Sequence, residues 1–234
     1  MVKICLLDYE SHSMPDSSSS LPVWWKRPLS WGKILLALLL VGMFFLYGFV
    51  PDGKPRFQGV DITEEVFAQN AAKAPWSLLD HQGHLRQLKQ FRGKVVVMFF
   101  GYTQCPDVCP TTLGEMQQVM RNLGTDAARV QTLFVTLDPE RDSATLLKEY
   151  VPAFHPSFLG LYADRQHTDQ IAQLFQVVAH KRAGKTPNTY TLDHSAGLYV
   201  FDTEGNLRVM INYGQGANVI THDVRLLLAE AQKN

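Results

Sequence analysis

The stretch KVVVMFFGYTQCPDVCPTTL (Lys94–Leu113) passes from an unbroken apolar run, through two cysteines, into the start of a helix. Lys94–Phe100 does not alternate apolar with polar residues, which is the pattern of a strand covered on both faces. Beyond it Leu113, Met116, Val119, Met120 and Leu123 recur at helical spacing, and Gly124 ends the run. A buried strand feeding directly into an amphipathic helix is the building unit of a layered α/β sheet. Cys105 and Cys109 lie at the turning point, beyond the C-terminal end of the strand, where functional groups collect in open α/β sheets.

The same alternation continues outward. Val130–Leu137 reads as a second buried strand, and Asp142 as the cap of a helix carrying Leu146, Leu147, Tyr150 and Val151. Phe158–Tyr162 is a short strand. Thr168 is placed to cap a helix whose apolar face is Ile171, Leu174, Phe175 and Val178. Gly197–Phe201 and Leu207–Tyr213 are strands joined by the Asp202–Asn206 connection, and a last helix carries Val224, Leu227 and Leu228. On the N-terminal side, Trp76–Leu79 reads as a strand broken by the Gln82-Gly83 turn. Strand and helix in alternation, then a hairpin and a helix, predict an α/β fold. Its outline is a thioredoxin-like mixed sheet with helices on both faces.

Basic and acidic residues balance at 22 each, which argues against a nucleic-acid binder. Hydrophobic residues at 46% and charged residues at 19% are a globular balance, and three cysteines are too few for a disulfide scaffold. Ile34–Val50 (ILLALLLVGMFFLYGFV) runs 17 residues without a charge. As a helix it spans about 25 Å against a bilayer core of about 30 Å. Leu29, Trp31 and a snorkelling Lys33 extend it. It has no polar stripe and leads into Phe49, Val50, Pro51 and Asp52 rather than a small-residue cleavage site, so one uncleaved N-terminal transmembrane helix is expected. Lys26, Arg27 and Lys33 before it outnumber Lys54 and Arg56 after it, which favours a C-terminal domain outside the cytoplasm. The expected organisation is a disordered cytoplasmic tail over 1–30, an anchor over 31–50, a linker over 51–70 and the folded domain over 71–234. Cys5 falls in the tail.

Cys105 and Cys109 are spaced C-x-x-x-C. On a regular helix that spacing separates the Cβ atoms by about 5–6 Å, wider than the about 3.5–4.5 Å of a disulfide. Two thiolates at that stance can still share one ion, because metal–sulfur bonds are about 2.3 Å long. Buried structural thiols, a redox pair and a metal-ligand pair are therefore all open. A third ligand has to come from the histidines. His12 lies in the tail, His81 and His84 in a hairpin turn as surface residues, His155 in a loop before Pro156, His167 and His180 beside a helix, and His222 in the first turn of the last helix. His194, in Asp193-His194, opens an apolar strand on the layer of the cysteine loop. It is the candidate third ligand, against the alternative of a hydrogen-bonded strand-end histidine.

Three blocks together carry a family resemblance: GYTQCPDVCPTTL, VTLDPERD (Val135–Asp142) and DHSAGLYVFD (Asp193–Asp202). The chain, from about Ala74 to its end, resembles the Sco/SenC family of membrane-anchored, thioredoxin-like copper-delivery proteins involved in assembling cytochrome c oxidase. The resemblance implies that Cys105, Cys109 and His194 bind one copper per chain, as Cu(I) or Cu(II). It implies delivery to the binuclear copper centre of oxidase subunit II, or reduction of that subunit's cysteines, with a separate copper donor protein upstream. It also implies a single-pass protein of the bacterial inner membrane with its C-terminal domain in the periplasm. Two thiolates and an imidazole suit Cu(I). Asp107 and Asp193 are candidates for orienting the ligands, against the alternative of solvated loop carboxylates. Asp138 and Arg141 are candidates for bordering the site, against an Asx-turn at Asp138 ahead of Pro139.

Two further readings use the same residues. Cys105 and Cys109 at a helix N-terminus suit a thiol–disulfide oxidoreductase. A peroxide-reducing enzyme of this fold would carry T-x-x-C, but Thr103 lies two residues before Cys105, not three. Zinc is chemically allowed on Cys₂His.

Overall fold

A computed structural model describes residues 31–48, 56–184, 186 and 189–233. The chain divides into two units at the Lys54/Pro55 junction. The first contributes one described element, helix α1 (Trp31–Gly48). Its side chains are described from Trp31 to Met43 and are mostly exposed. Among the described residues no helix is long and apolar enough to cross a membrane. The tail over 1–30 lies outside the described residues.

The second unit runs β1 (Val60–Asp61), α2 (Val66–Lys73), β2 (Leu78–Asp80), β3 (Leu85–Arg86), β4 (Val95–Gly101) and α3 (Val108–Leu123). It continues with β5 (Val130–Thr136), α4 (Ala144–Tyr150), β6 (Leu159–Tyr162), α5 (Arg165–Leu174), β7 (Ala179–Ala183) and β8 (Tyr190–His194). β9 (Gly197–Phe201), β10 (Leu207–Asn212) and α6 (Gly216–Glu230) complete it. Eight strands form one mixed sheet in the order β1-β10-β9-β4-β5-β6-β2-β3. β4 is central, parallel to β5 with Val95 opposite Val130 and antiparallel to β9 with Val97 opposite Val200. This is the thioredoxin-like α/β fold that the alternation of elements predicts.

All seven residues of β4 and all seven of β5 are buried. Successive side chains point to opposite faces, so one strand feeds two cores. Val95, Val97 and Phe99 pack with Leu113, Met116 and Val119 of α3 and with Val224 and Leu227 of α6. Val96, Met98 and Phe100 pack on the other face with Ala68 of α2, Ile171 of α5, Phe175 and Tyr199. Fully burying any one of the large side chains contributes about 1.5–3 kcal/mol. The result is a central strand held rigidly from both sides, ending where the cysteine loop begins.

Several local expectations shift. Asp142 does not cap α4; Ser143 does, its Oγ accepting from the Leu146 N–H at 3.2 Å. Asp142 is instead buried, accepting from the Thr103 N–H (3.0 Å), the Thr103 hydroxyl (2.6 Å) and the Thr136 hydroxyl (2.6 Å). These bonds tie the start of the cysteine loop to the end of β5. α5 is capped by Asp164, whose carboxylate accepts from the His167 N–H at 2.8 Å, while Thr168 sits buried inside the helix. The stretch read as a linker holds β1, an edge strand with Val60 opposite Met210, and the first half of α2, whose Ala68 is fully buried. Fully buried Asp223 of α6 pins the chain just before β1 by accepting from the N–H groups of Gln58 (2.8 Å) and Gly59 (2.7 Å). β7 and β8 form a separate two-stranded ribbon, with Ala179 opposite His194. Every residue of β7 is exposed, so no alternation marks it in the sequence.

Candidate metal centre

The chain leaves β4 through a tight turn in which the Cys105 N–H donates to the Tyr102 carbonyl at 3.2 Å. The Leu137 N–H donates to the Gly101 carbonyl at 2.7 Å, holding the strand end against β5. Helix α3 then starts at Val108 with Asp107 as the N-cap residue, so Pro106 precedes the helix. Pro110 falls in the first turn, where an N–H has no partner within the helix anyway. Cys105 thus lies outside the helix, and the pair is not held at the spacing of residues four apart on a helix. Its sulfur accepts from the Cys109 N–H at 3.4 Å. The Asp107 N–H points at it as well.

Cys105 and Cys109 are both free thiols, the first partly exposed and the second buried. Their electrostatics differ sharply. The Cys109 thiol donates to Cys105, and the N–H groups of Asp107 and Cys109 add to it, so the Cys105 pKa is pushed down to about 4 despite the opposing effect of burial. Cys109, bonded to that thiolate and buried, is held well above the ordinary thiol range. One proton therefore sits between two sulfurs at neutral pH.

His194 ends β8 rather than opening the next strand. Its Nε2 lies 3.6 Å from the Cys109 sulfur, and its Nδ1 lies 2.9 Å from the Ser195 carbonyl. A carbonyl only accepts, so Nδ1 carries the hydrogen and Nε2 keeps its lone pair for the sulfurs. The ring stands edge-on to Tyr102, with centroids 5.9 Å apart, and the Tyr102 hydroxyl accepts from the Leu192 N–H at 3.2 Å. The ligand atoms of Cys105, Cys109 and His194 all lie within 4.8 Å of one another. Three donors around one ion at about 2.0–2.3 Å stand roughly 3.5–4 Å apart, so closing on an ion takes movements of about 1 Å or less. The donor set is soft, which suits Cu(I) or zinc better than a hard cation. An open pocket of about 360 Å³, walled by Tyr102, Pro106, Asp107 and Thr191, leads to Cys105 and His194.

Gly101 is part of this geometry. A Cβ there would stand 2.6 Å from the Cys109 sulfur and 2.9 Å from Cε2 of fully buried Phe134. Gly101→Ala is expected to cost about 1–3 kcal/mol in urea unfolding, the usual effect of overpacking. An unchanged unfolding midpoint would show that the loop has slack the packing denies.

The remaining candidates divide. The Asp107 side chain accepts from the Thr111 hydroxyl at 3.4 Å, and Asp193 pairs with Arg182, so neither carboxylate is spent on a ligand. Asp138 makes no Asx-turn; its buried carboxylate takes Arg141 and the Tyr190 hydroxyl. His81 is not a surface residue: it is buried, with Nδ1 accepting from the Gly160 N–H at 3.0 Å. His84 is the exposed partner in that turn and faces Asp80. His155 and His167 bond locally to Ser157 and Asp164, and His180 lies on the exposed ribbon. His222, in the second turn of α6 rather than the first, bonds to Asp223. The sequence reading missed Tyr102 and Tyr190, whose hydroxyls hold the ribbon. The place of Tyr102 directly after the buried strand was the available signal for the first, and none marked the second.

A reduced Cys₂His cluster at the strand-to-helix turn defines a thioredoxin-like protein with a soft-metal thiolate site. Residues 65–229 match the SCO1/SenC family, and the chain belongs to it. It is 34% identical over 178 residues to the mitochondrial protein SCO2 homolog of Bos taurus, covering 75% of this chain and 67% of that one. To a SCO2-like protein of Rickettsia felis it is 32% identical over 179 residues, 74% of this chain and 85% of the other. The structure is similar to that of Bradyrhizobium japonicum ScoI with copper bound, at TM-score 0.60 and 36% identity, over 65% of this chain and 96% of that one.

Proposed function

We propose that this chain is a membrane-anchored copper metallochaperone. It binds one copper through Cys105, Cys109 and His194, receives it from a separate donor protein and delivers it to the binuclear copper centre of cytochrome c oxidase subunit II. The observation that carries the reading is the gathering of two sulfurs and an imidazole nitrogen within 4.8 Å. The copper-bound relative in Bradyrhizobium japonicum supports it. Copper is cargo here. The Cys105 thiolate is ready to take it, the Cys109 proton leaves as the second sulfur engages, and the Nε2 lone pair of His194 closes the third side. The open pocket gives a partner's ligands access to the same ion.

In this reading residues 31–50 form a single-pass anchor in the bacterial inner membrane and 1–30 a cytoplasmic tail, and the copper-binding domain, which takes in β1 and the whole of α2, lies in the periplasm. The charge-free run Ile34–Val50 and the excess of Lys26, Arg27 and Lys33 over Lys54 and Arg56 support it. The full chain, expressed in a bacterium, extracted from the membrane fraction with detergent and loaded with Cu(I), is expected to carry one copper per chain. Recovery from the soluble fraction would remove the anchor, and protein without stoichiometric copper would remove the ligand assignment.

The low pKa of Cys105 beside the Cys109 sulfur favours a second role, reduction of a partner's disulfide. Cys105 would attack one partner sulfur and Cys109 would then resolve the mixed disulfide. Two electrons pass to the partner and a Cys105–Cys109 disulfide remains. Replacing His194 by alanine separates the roles, since it spares reduction and weakens copper binding.

A further inference from the structure

His194 lies in neither the eight-stranded sheet nor α3. It sits at the end of the β7–β8 ribbon, whose outer strand is exposed at every residue. A two-stranded ribbon is marginal by itself, so something else must fix where the imidazole stands. Beside His194, Tyr102 takes the Leu192 N–H and the Ser195 N–H donates to the Val178 carbonyl; at the other end of β8 the contacts converge on Asp138 and Arg141, from the VTLDPERD block that the ligand set leaves unused.

Arg141 reaches in two directions. Its Nη1 donates to the Tyr190 carbonyl at 2.9 Å, and its guanidinium lies 3.6 Å over the centre of the Tyr190 ring, so it grips the first residue of β8 by backbone and face. The same Nη1 donates to the Gln104 side-chain oxygen at 3.1 Å, in the residue next to Cys105. Asp138 is fully buried. One of its oxygens takes the Arg141 Nε and the other takes the Tyr190 hydroxyl at 2.7 Å. The Arg141 Nη2 is buried and has no hydrogen-bond partner among the described residues.

We propose that Arg141, oriented by Asp138, is a positioning residue of the metal centre: it couples the cysteine loop to the Tyr190–His194 strand and sets the distance of the His194 imidazole from the two sulfurs. This rests on the Cys₂His copper reading above. Arg141 touches no ligand atom and acts through Gln104 and Tyr190. The cysteine loop keeps its other anchors without Arg141, the Cys105 N–H on the Tyr102 carbonyl and Thr103 on Asp142, so loosening Arg141 frees the ribbon more than the loop and most of its effect on copper passes through His194.

The test is a double-mutant cycle on the full chain in detergent, with Cu(I) affinity measured by competition against a chelator. His194→Ala alone must weaken binding; if it does not, the copper reading fails, whatever Arg141 does. Given that loss, Arg141→Ala is expected to weaken binding about 10- to 100-fold in the parent, the usual cost of losing a group that orients a ligand, and less than about twofold in the His194→Ala background. An equal loss in both backgrounds, or none in the parent, overturns the positioning role. Amide hydrogen exchange on the copper-free protein reads the same idea without metal: residues 190–194 exchange faster in Arg141→Ala while residues 95–101 do not. Exchange unchanged at 190–194 also overturns it. Should Arg141→Ala fail to fold, Tyr190→Phe removes only the hydroxyl held by Asp138. It must show the same dependence on His194, at smaller size, or the proposal falls.

Discussion

Cys109→Ser is expected to weaken Cu(I) binding by more than about 100-fold while the metal-free protein keeps its fold. The lower bound follows from comparison: disturbing a group that merely orients a ligand costs about 10- to 100-fold, and removing a soft ligand must cost more. Serine presents a hard oxygen that a soft ion accepts poorly. The fold tolerates the exchange because the two side chains have similar shape. The hydroxyl also keeps hydrogen-bond partners, since the Cys105 sulfur can accept from it and His194 Nε2 lies 3.6 Å from the present sulfur. Cys105→Ser is expected to lose as much, because it removes the group that is already ionised at neutral pH. Thermal unfolding gives an independent reading. A ligand at about 1,000 times its Kd stabilises the folded state by about 4.1 kcal/mol, and at the same free copper a variant weakened by more than about 100-fold gains less than about 1.4 kcal/mol, so copper raises the midpoint of the parent far more than that of either serine variant. Retention of affinity within about tenfold in either variant would remove that sulfur from the site.

The parts of this architecture legible in the sequence are those whose physics is local. Lys94–Leu123 shows strand, cysteines and helix because a strand buried on both faces must be uniformly apolar and a helix packed on one side must repeat near 3.6 residues. β7 was not legible for the opposite reason: AHKRA has no buried face, and its pairing with β8 is fixed by the registration of Ala179 with His194 across the ribbon. The first turns of α4 and α5 were misread because candidate caps lie close together. Asp142 and Ser143 are adjacent, Asp164 precedes Thr168 by four residues, and only burial shows which side chain is free to cap. At the metal centre, residue chemistry and the order of the blocks pointed to all three ligand candidates. Arg141 and Tyr190 are 49 residues apart and joined by a hydrogen bond between side chain and backbone, which no spacing rule reports.

The ionisation of Cys105 yields the other large expected effect. Its pKa of about 4, against an ordinary 9.0, means the folded protein holds a thiolate where an unfolded chain holds a thiol. Thiolate is the reactive form, so an ordinary thiol loses a factor of ten in alkylation rate for each pH unit below its pKa, while Cys105 loses almost nothing until the pH nears 4. Low pKa also lowers intrinsic nucleophilicity, with a Brønsted slope of about 0.4–0.5, so five units cost Cys105 roughly two to two and a half decades. At pH 7 and above, the two effects nearly cancel or favour the ordinary thiol. By pH 5 the thiolate fraction wins, and Cys105 in the metal-free protein is expected to react with iodoacetamide about 30- to 100-fold faster than an ordinary thiol. Its rate stays flat between about pH 5 and 8. Cleavage before Asp107, or fragmentation of the peptide that carries both cysteines, assigns the label to Cys105 rather than Cys109 in mass spectrometry, and buried Cys109 stays unmodified in the folded chain. The same ionisation links stability to pH. The Cys105 contribution is complete above the unfolded value near 9, shrinks as the pH falls and is gone below about 4. Cys109, raised instead, contributes below about 9 and loses its contribution as the pH rises through its folded value. A Cys105 alkylation rate that falls tenfold per unit from pH 8 to 6 would show an ordinary thiol there, with its proton on Cys105 and no thiolate poised for a soft ion.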